Sequence, residues 1–192
     1  VADCTALANV IATNGLPRLE TLYLNGNGFG AEGMQALAGG LGGAALPSLK
    51  SLGLHANGIG EAGASALGAA LGRGALPRLQ QLYLGGNGLG SAGLIALAPG
   101  LRARPQLTIL RLDHNGIGDD GVAALVAPGE GVLPSLEQLY LELNQISDAG
   151  CAALAAALSS GAMPSLKTIH LGNNPASGAA KAAVDTALAS RR

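Results

Sequence analysis

The sequence predicts an α/β fold: a right-handed solenoid in which a parallel β-sheet lines the concave face and α-helices form the convex one. Three observations carry that prediction. A block L-x-x-L-x-L-x-x-N recurs six times, its asparagines Asn27, Asn57, Asn87, Asn115, Asn144 and Asn174 standing 30, 30, 28, 29 and 30 residues apart. The hydrophobic period changes within each unit, from two inside the block to that of a helix after it. A proline, Pro17, Pro47, Pro77, Pro105, Pro134 or Pro164, stands two positions ahead of every block and keeps the preceding helix out of the strand. A fixed period of this length marks stacked supersecondary units.

In chain order, residues 1–192 read as a single domain. Residues 1–15 form a partial repeat, a helical half with Leu7 and Ile11 where the next unit has Leu37 and Leu41. Full units follow at 16–45, 46–75, 76–103, 104–132, 133–162 and 163–192. Each block alternates apolar and other residues, as in Leu22/Leu24, Leu52/Leu54, Leu82/Leu84, Leu110/Leu112, Leu139/Leu141 and Ile169/Leu171, so a short strand buries one face and shows the other. Phe29, Ile59, Leu89, Ile117 and Ile146 follow two residues after the asparagine. Leu37, Leu67, Leu97, Leu125, Leu154 and Val184 then mark a helical face, which Leu41, Leu71, Leu101, Leu158 and Leu188 continue one turn on. Pro99-Gly100 and Pro128-Gly129 fall inside the third and fourth of these helices and are expected to leave them short or irregular. The asparagines are expected to form a ladder that satisfies the buried turns. The first strand, near residues 21 to 25, is expected to be an open edge, as in a segment of a longer array or one that stacks on another chain.

This pattern resembles the leucine-rich repeat family, in particular the long repeats of ribonuclease inhibitor and of NOD-like receptors, over residues 16 to 188. The resemblance implies a protein-recognition scaffold and leaves the partner open. It also bears on GFGAEG (28–33), GIGEAG (58–63), GLGSAG (88–93) and GIGDDG (116–121), all of which match the dinucleotide fingerprint G-x-G-x-x-G. One chain has little use for four such sites. In QISDAG (145–150) two glycines are replaced while the hydrophobic columns persist, and Glu32, Glu61, Asp119 and Asp120 near the helix starts would repel a phosphate. The glycines are expected to serve tight turns and close helix packing, and no cofactor is expected.

Composition narrows the function classes. Charged residues are 12% of the chain, 11 basic against 12 acidic, so no basic face is available to hold nucleic acid. Apolar runs such as CAALAAAL (151–158) fall short of the roughly 20 residues of a membrane span. Cys4 and Cys151 share a column with Met34, Ala64, Leu94 and Val122 and stand too many repeats apart to bridge, which with the absence of cysteine-rich caps points to an intracellular, cytoplasmic setting. No Cys/His spacing suits a metal. No G-x-S-x-G appears, and His114 beside Asp113 reads as a solvated pair, so the chain is not expected to be an enzyme.

The solvent-facing positions of the strands hold the candidate binding surface. Curvature follows because strands stack about 4.8 Å apart and helices about 10 Å apart. The central concave column runs Tyr23, Gly53, Tyr83, Arg111, Tyr140, His170. Beside it run Asn25, His55, Gly85, Asp113, Glu142, Gly172 and, on the other side, Thr21, Ser51, Gln81, Ile109, Gln138, Thr168. Aromatics are only 2% of the chain, yet all three tyrosines occupy the central column, which the core does not use. Tyrosine and arginine are enriched at interface hot spots. Tyr23, His55, Tyr83, Arg111, Asp113, Tyr140, Glu142 and His170 are therefore the expected protein-binding residues, with the Arg111 guanidinium between the Tyr83 and Tyr140 rings. The expected function is recognition of a protein or peptide. Two alternatives are an activator resembling the Ran GTPase-activating proteins, acting through Arg111, and a self-assembling segment stacked through its open edges.

Overall fold

The computed structural model describes residues 2–13, 15–42, 45–127 and 132–191. Among them helices and strands alternate: α1 (Ala2–Ala12), β1 (Thr21–Tyr23), α2 (Gly30–Gly40), β2 (Ser51–Gly53), α3 (Gly60–Gly72), β3 (Gln81–Tyr83), α4 (Gly90–Arg102), β4 (Ile109–Arg111), α5 (Asp119–Val126), β5 (Gln138–Tyr140), α6 (Asp148–Ser159), β6 (Thr168–His170) and α7 (Gly178–Ala189). The strands form one parallel sheet in sequence order. Register follows the repeat: Tyr23, Gly53, Tyr83, Arg111, Tyr140 and His170 are successive partners.

The core lies between this sheet and the helices and is almost entirely aliphatic. Leu52, Leu82, Leu110 and Leu139 at the strand centres are 2% exposed or less, as are Ile59, Leu89, Ile117 and Ile146 below the turns. Each such side chain contributes on the order of 1.5–3 kcal/mol by leaving water. At the amino-terminal end Leu22 and Leu24 are only half-buried, because β1 pairs with β2 alone.

The asparagine ladder is present. The backbone N–H groups of Asn27, Asn57, Asn87 and Asn115 donate to the Oδ1 atoms of Asn57, Asn87, Asn115 and Asn144 at 2.9–3.0 Å. Each interior Nδ2 donates to two leucine carbonyls, one in its own repeat and one in the repeat before. The turns are thereby satisfied although buried.

The glycines of GFGAEG serve the chain turn. Gly28 and Gly30 lie at φ 58° and 65°, where a Cβ is disfavoured. In the fourth unit this holds for Gly116 at 69°, while Gly118 is extended and caps α5. From there on helix starts are bound differently. The Asp119 carboxylate, in the first turn of α5, accepts from the Ser147 N–H (2.8 Å), the Ser147 Oγ (2.5 Å) and the Gly150 N–H (2.9 Å) of the next unit. Asp148 does the same for Ser177. These acids therefore hold the following helix start as well as favouring their own.

The expectation of a short or irregular third helix is corrected. α4 runs unbroken through Pro99 for 13 residues. The carbonyl that Pro99 deprives of a donor belongs to Ile95, a residue 46% exposed, so the proline sits on the solvent side of the helix. Gly100 packs directly on the backbone of Gly68, and a Cβ at Gly68 would meet the Ala96 carbonyl at 2.6 Å, so α3 and α4 touch along a seam without side chains. α5 has only 8 residues; the Pro128-Gly129 pair beyond it lies outside the described residues.

Candidate protein-binding surface

Alternation in each strand sends its central leucine inward and its outer residues to solvent, so β3 reads half-buried, buried, half-buried from Gln81 to Tyr83. In-register parallel strands then place side chains about 4.8 Å apart, close to the separation at which planar groups stack. The Arg111 Cζ lies 4.6 Å from the Tyr140 ring centroid. The Tyr140 and His170 rings are 4.5 Å apart with planes within 8°. Arg111, Tyr140 and His170 thus form a continuous stack across β4, β5 and β6.

The guanidinium is not held between two tyrosines, as the spacing alone suggested. Arg111 Nε is 3.1 Å from Asp113 Oδ1, and its guanidinium lies over the Tyr140 ring. Tyr83 instead meets Tyr23 edge to face, with centroids 6.3 Å apart and planes at 78°. The two rings approach over Gly53, where a Cβ would come within 2.5 Å of the Tyr23 ring. Likewise Asp113 pairs with Arg111, while His114 is exposed.

Three residues outside the expected set steer the phenols. The Tyr83 hydroxyl donates to Gln81 Oε1 (2.9 Å), the Tyr140 hydroxyl to Gln138 Oε1 (3.0 Å), and Ser51 Oγ donates to the Tyr23 hydroxyl (3.3 Å). Their signal was in the sequence, since Ser51, Gln81 and Gln138 fill the column two positions earlier. Burial, followed by the neighbouring Tyr23, raises the Tyr83 pKa above the usual tyrosine value and keeps its hydroxyl a donor.

All eight expected residues lie along the sheet face. Tyr23, Tyr83, His55, Arg111 and Asp113 wall an open hollow of about 370 Å³ floored by Gly85, where a Cβ would meet both Asp113 Oδ2 and His55 Nδ1 within 3 Å. Glu142 and His170 lie apart from it and line a second hollow of about 310 Å³, with Glu142 Oε1 3.8 Å from His170 Nδ1. On the convex side, Ala127, Val132 and Ala157 are among the residues that line a hollow of about 800 Å³ between α5 and α6. Among the described residues no cluster of three or more His, Cys, Asp or Glu side chains is placed to hold a metal ion, and no helix is long and apolar enough to cross a membrane.

A family model described as Leucine Rich repeat matches residues 16–38, 76–98, 105–126 and 132–155. Together with the six in-register strands, these matches give the chain a leucine-rich-repeat fold. Among solved structures it is similar to Leiomodin-1 Actin-Binding Site 2, with a TM-score of 0.59 over 96% of this chain and 86% of that chain. At 15% identity this likeness is one of fold. No curated protein matches the chain. The asparagine ladder runs beside a sheet whose outer face carries a regular array of side chains.

Proposed function

We propose that this module is non-catalytic and holds a protein or peptide against its concave strip, as part of a longer intracellular sensor or scaffold built of repeats of the ribonuclease inhibitor and NOD-like receptor class. One observation carries the reading: on the face opposite the core Tyr140 stacks with Arg111 and His170, and Tyr23 meets Tyr83 edge to face. Rings held this way lose little freedom on binding and bring large contact area with a polar tip. Repeat spacings of 28 to 30 residues support the class, and the free, buried Cys4 and Cys151 support the compartment. The similarity to an actin-binding leucine-rich-repeat segment supports a protein as ligand. The GTPase-activator alternative ranks behind, because Arg111 is engaged by Asp113 and Tyr140 rather than free to reach a nucleotide.

The test is affinity capture, quantified by mass spectrometry, with the wild-type chain, Tyr83→Ala, Tyr140→Ala and the double variant. Each single change is expected to weaken the captured partner by about 2 kcal/mol or more, as hot spots do. Exposed Gln35 on α2 is the convex control, and Gln35→Ala is expected to bind like wild type. Capture that survives loss of both tyrosines refutes the concave assignment.

A further inference from the structure

The column beside the central one carries a side chain in four of its six units, Asn25, His55, Asp113 and Glu142, and glycine at residues 85 and 172. At Gly85, just beyond β3, the missing side chain leaves a gap between two polar ones. A Cβ there would stand 2.7 Å from Asp113 Oδ2 and 2.8 Å from His55 Nδ1. The two atoms therefore face each other across the gap, close enough for one hydrogen-bond donor seated between them to reach both. Among the described residues neither has a hydrogen-bond partner. The carboxylate gives its other oxygen, Oδ1, to Arg111 Nε at 3.1 Å, and 15% of the Asp113 side chain remains open to solvent.

The walls of the hollow set what fits there. A carboxylate oxygen only accepts, and the imidazole nitrogen accepts when the ring proton sits on Nε2. Asn25 lines the same hollow, and its Oδ1, which takes the His55 N–H at 2.9 Å, is a third acceptor. The Tyr23 and Tyr83 rings stand on the other side, where their π-systems attract a cation. Arg111 is the nearby positive charge, but its guanidinium lies over the Tyr140 ring on β5 and is balanced by Asp113. Acceptors gathered around one point suit a compact ammonium with three donors better than the planar fork of a guanidinium.

We propose that the gap over Gly85 is a subsite for a lysine ammonium of the bound polypeptide, held by Asp113 Oδ2 and His55 Nδ1 with its methylene stem along Tyr23 and Tyr83. The assignment rests on the concave recognition proposed above and names a side chain that the strip selects.

The experiment selects binders to the wild-type chain from a phage-displayed random peptide library. The synthetic peptides are titrated against wild type, Gly85→Ala, Asp113→Asn and Tyr140→Ala, and each variant is melted. Gly85→Ala fills the gap, and because four other units carry side chains in this column it is expected to melt like wild type. Asp113→Asn keeps the shape and removes the charge, which provides a second route should Gly85→Ala unfold. Selected peptides are expected to contain a lysine whose replacement by norleucine or acetyl-lysine weakens binding about tenfold or more. Gly85→Ala and Asp113→Asn are each expected to weaken the lysine peptides by a similar factor and to leave the norleucine forms unchanged. Peptides without lysine, or lysine peptides that bind Gly85→Ala and Asp113→Asn as they bind wild type, overturn the subsite. Tyr140 lies outside the hollow and reports on the strip alone. Peptides that need Tyr140 but neither Gly85 nor Asp113 overturn the subsite and leave the strip standing; peptides indifferent to all three changes overturn both.

Discussion

Replacing Asn87 with alanine tests the ladder on which the whole sheet depends. Its Oδ1 is the acceptor for the Asn57 N–H at 2.9 Å, and its Nδ2 donates to the Leu54 and Leu84 carbonyls at 3.0 and 2.9 Å. Those two carbonyls each keep a second donor, from Asn57 and Asn115 respectively, so they lose half their bonding. The Asn57 N–H and, at 3.4 Å, the Ile59 N–H lose their acceptor in a site where Asn57 is 1%, Ile59 0% and Asn87 2% exposed. An orphaned buried donor costs about 1–3 kcal/mol, and with the longer Ile59 bond and the two half-satisfied carbonyls the expected loss is about 3 kcal/mol. For a chain of this size that is a fall of roughly 6–12 °C in Tm. The end positions are graded controls. Asn174→Ala deprives the Ile146 N–H of its acceptor but lies at the last repeat, 8% exposed, where water relieves part of the loss, for about 2 kcal/mol. Asn27 is exposed, and the Leu24 carbonyl that it bonds keeps its bond from Asn57, so Asn27→Ala is expected to cost under about 1 kcal/mol. Equilibrium urea unfolding followed by circular dichroism reads all three. Equal midpoint shifts for Asn87→Ala and Asn27→Ala would refute the reasoning.

The helical seam and the helix starts give further expectations. Gly100→Ala drives a methyl group into the Gly68 backbone and is expected to cost about 2 kcal/mol or more, whereas Gly39→Ala, which meets open space on α2, is expected to add up to about 1 kcal/mol; thermal melting compares them, and two stabilising substitutions would remove the seam argument. Hydrogen bonds from the Ser147 hydroxyl, and then from the Ser147 and Gly150 N–H groups, hold the Asp119 pKa below its usual carboxylate value. Its folded-state pKa being the lower one, its contribution is fully present above the unfolded value near 3.8 and is lost as pH falls through the folded value. Wild type is therefore expected to be more stable than Asp119→Asn at neutral pH, with the gap closing in acid unfolding series; a pH-independent gap would contradict the carboxylate's role.

The repeat made the architecture legible in one dimension. Units of nearly constant length stack in register, so a column in the alignment of the chain with itself becomes a line of neighbours in space. That is why Tyr23, Tyr83, Arg111, Tyr140 and His170 were placed on one face from their spacing, and why the buried asparagines and aliphatic columns were found where expected. Register says which side chains are adjacent; it does not say which way each one turns. Only the tertiary structure decided that Arg111 leaves Tyr83 for Asp113 and Tyr140, and that Tyr83 leans over Gly53 to Tyr23, because these choices weigh an ion pair, a ring contact and a hydrogen bond to Gln81 against each other. The same holds for Asp119, which holds a helix start 28 residues further on, and for α4, which continues through Pro99. The backbone at Leu143 belongs with them. Its left-handed conformation follows from hydrogen bonds between neighbouring repeats, and nothing in the identity of a leucine announces it.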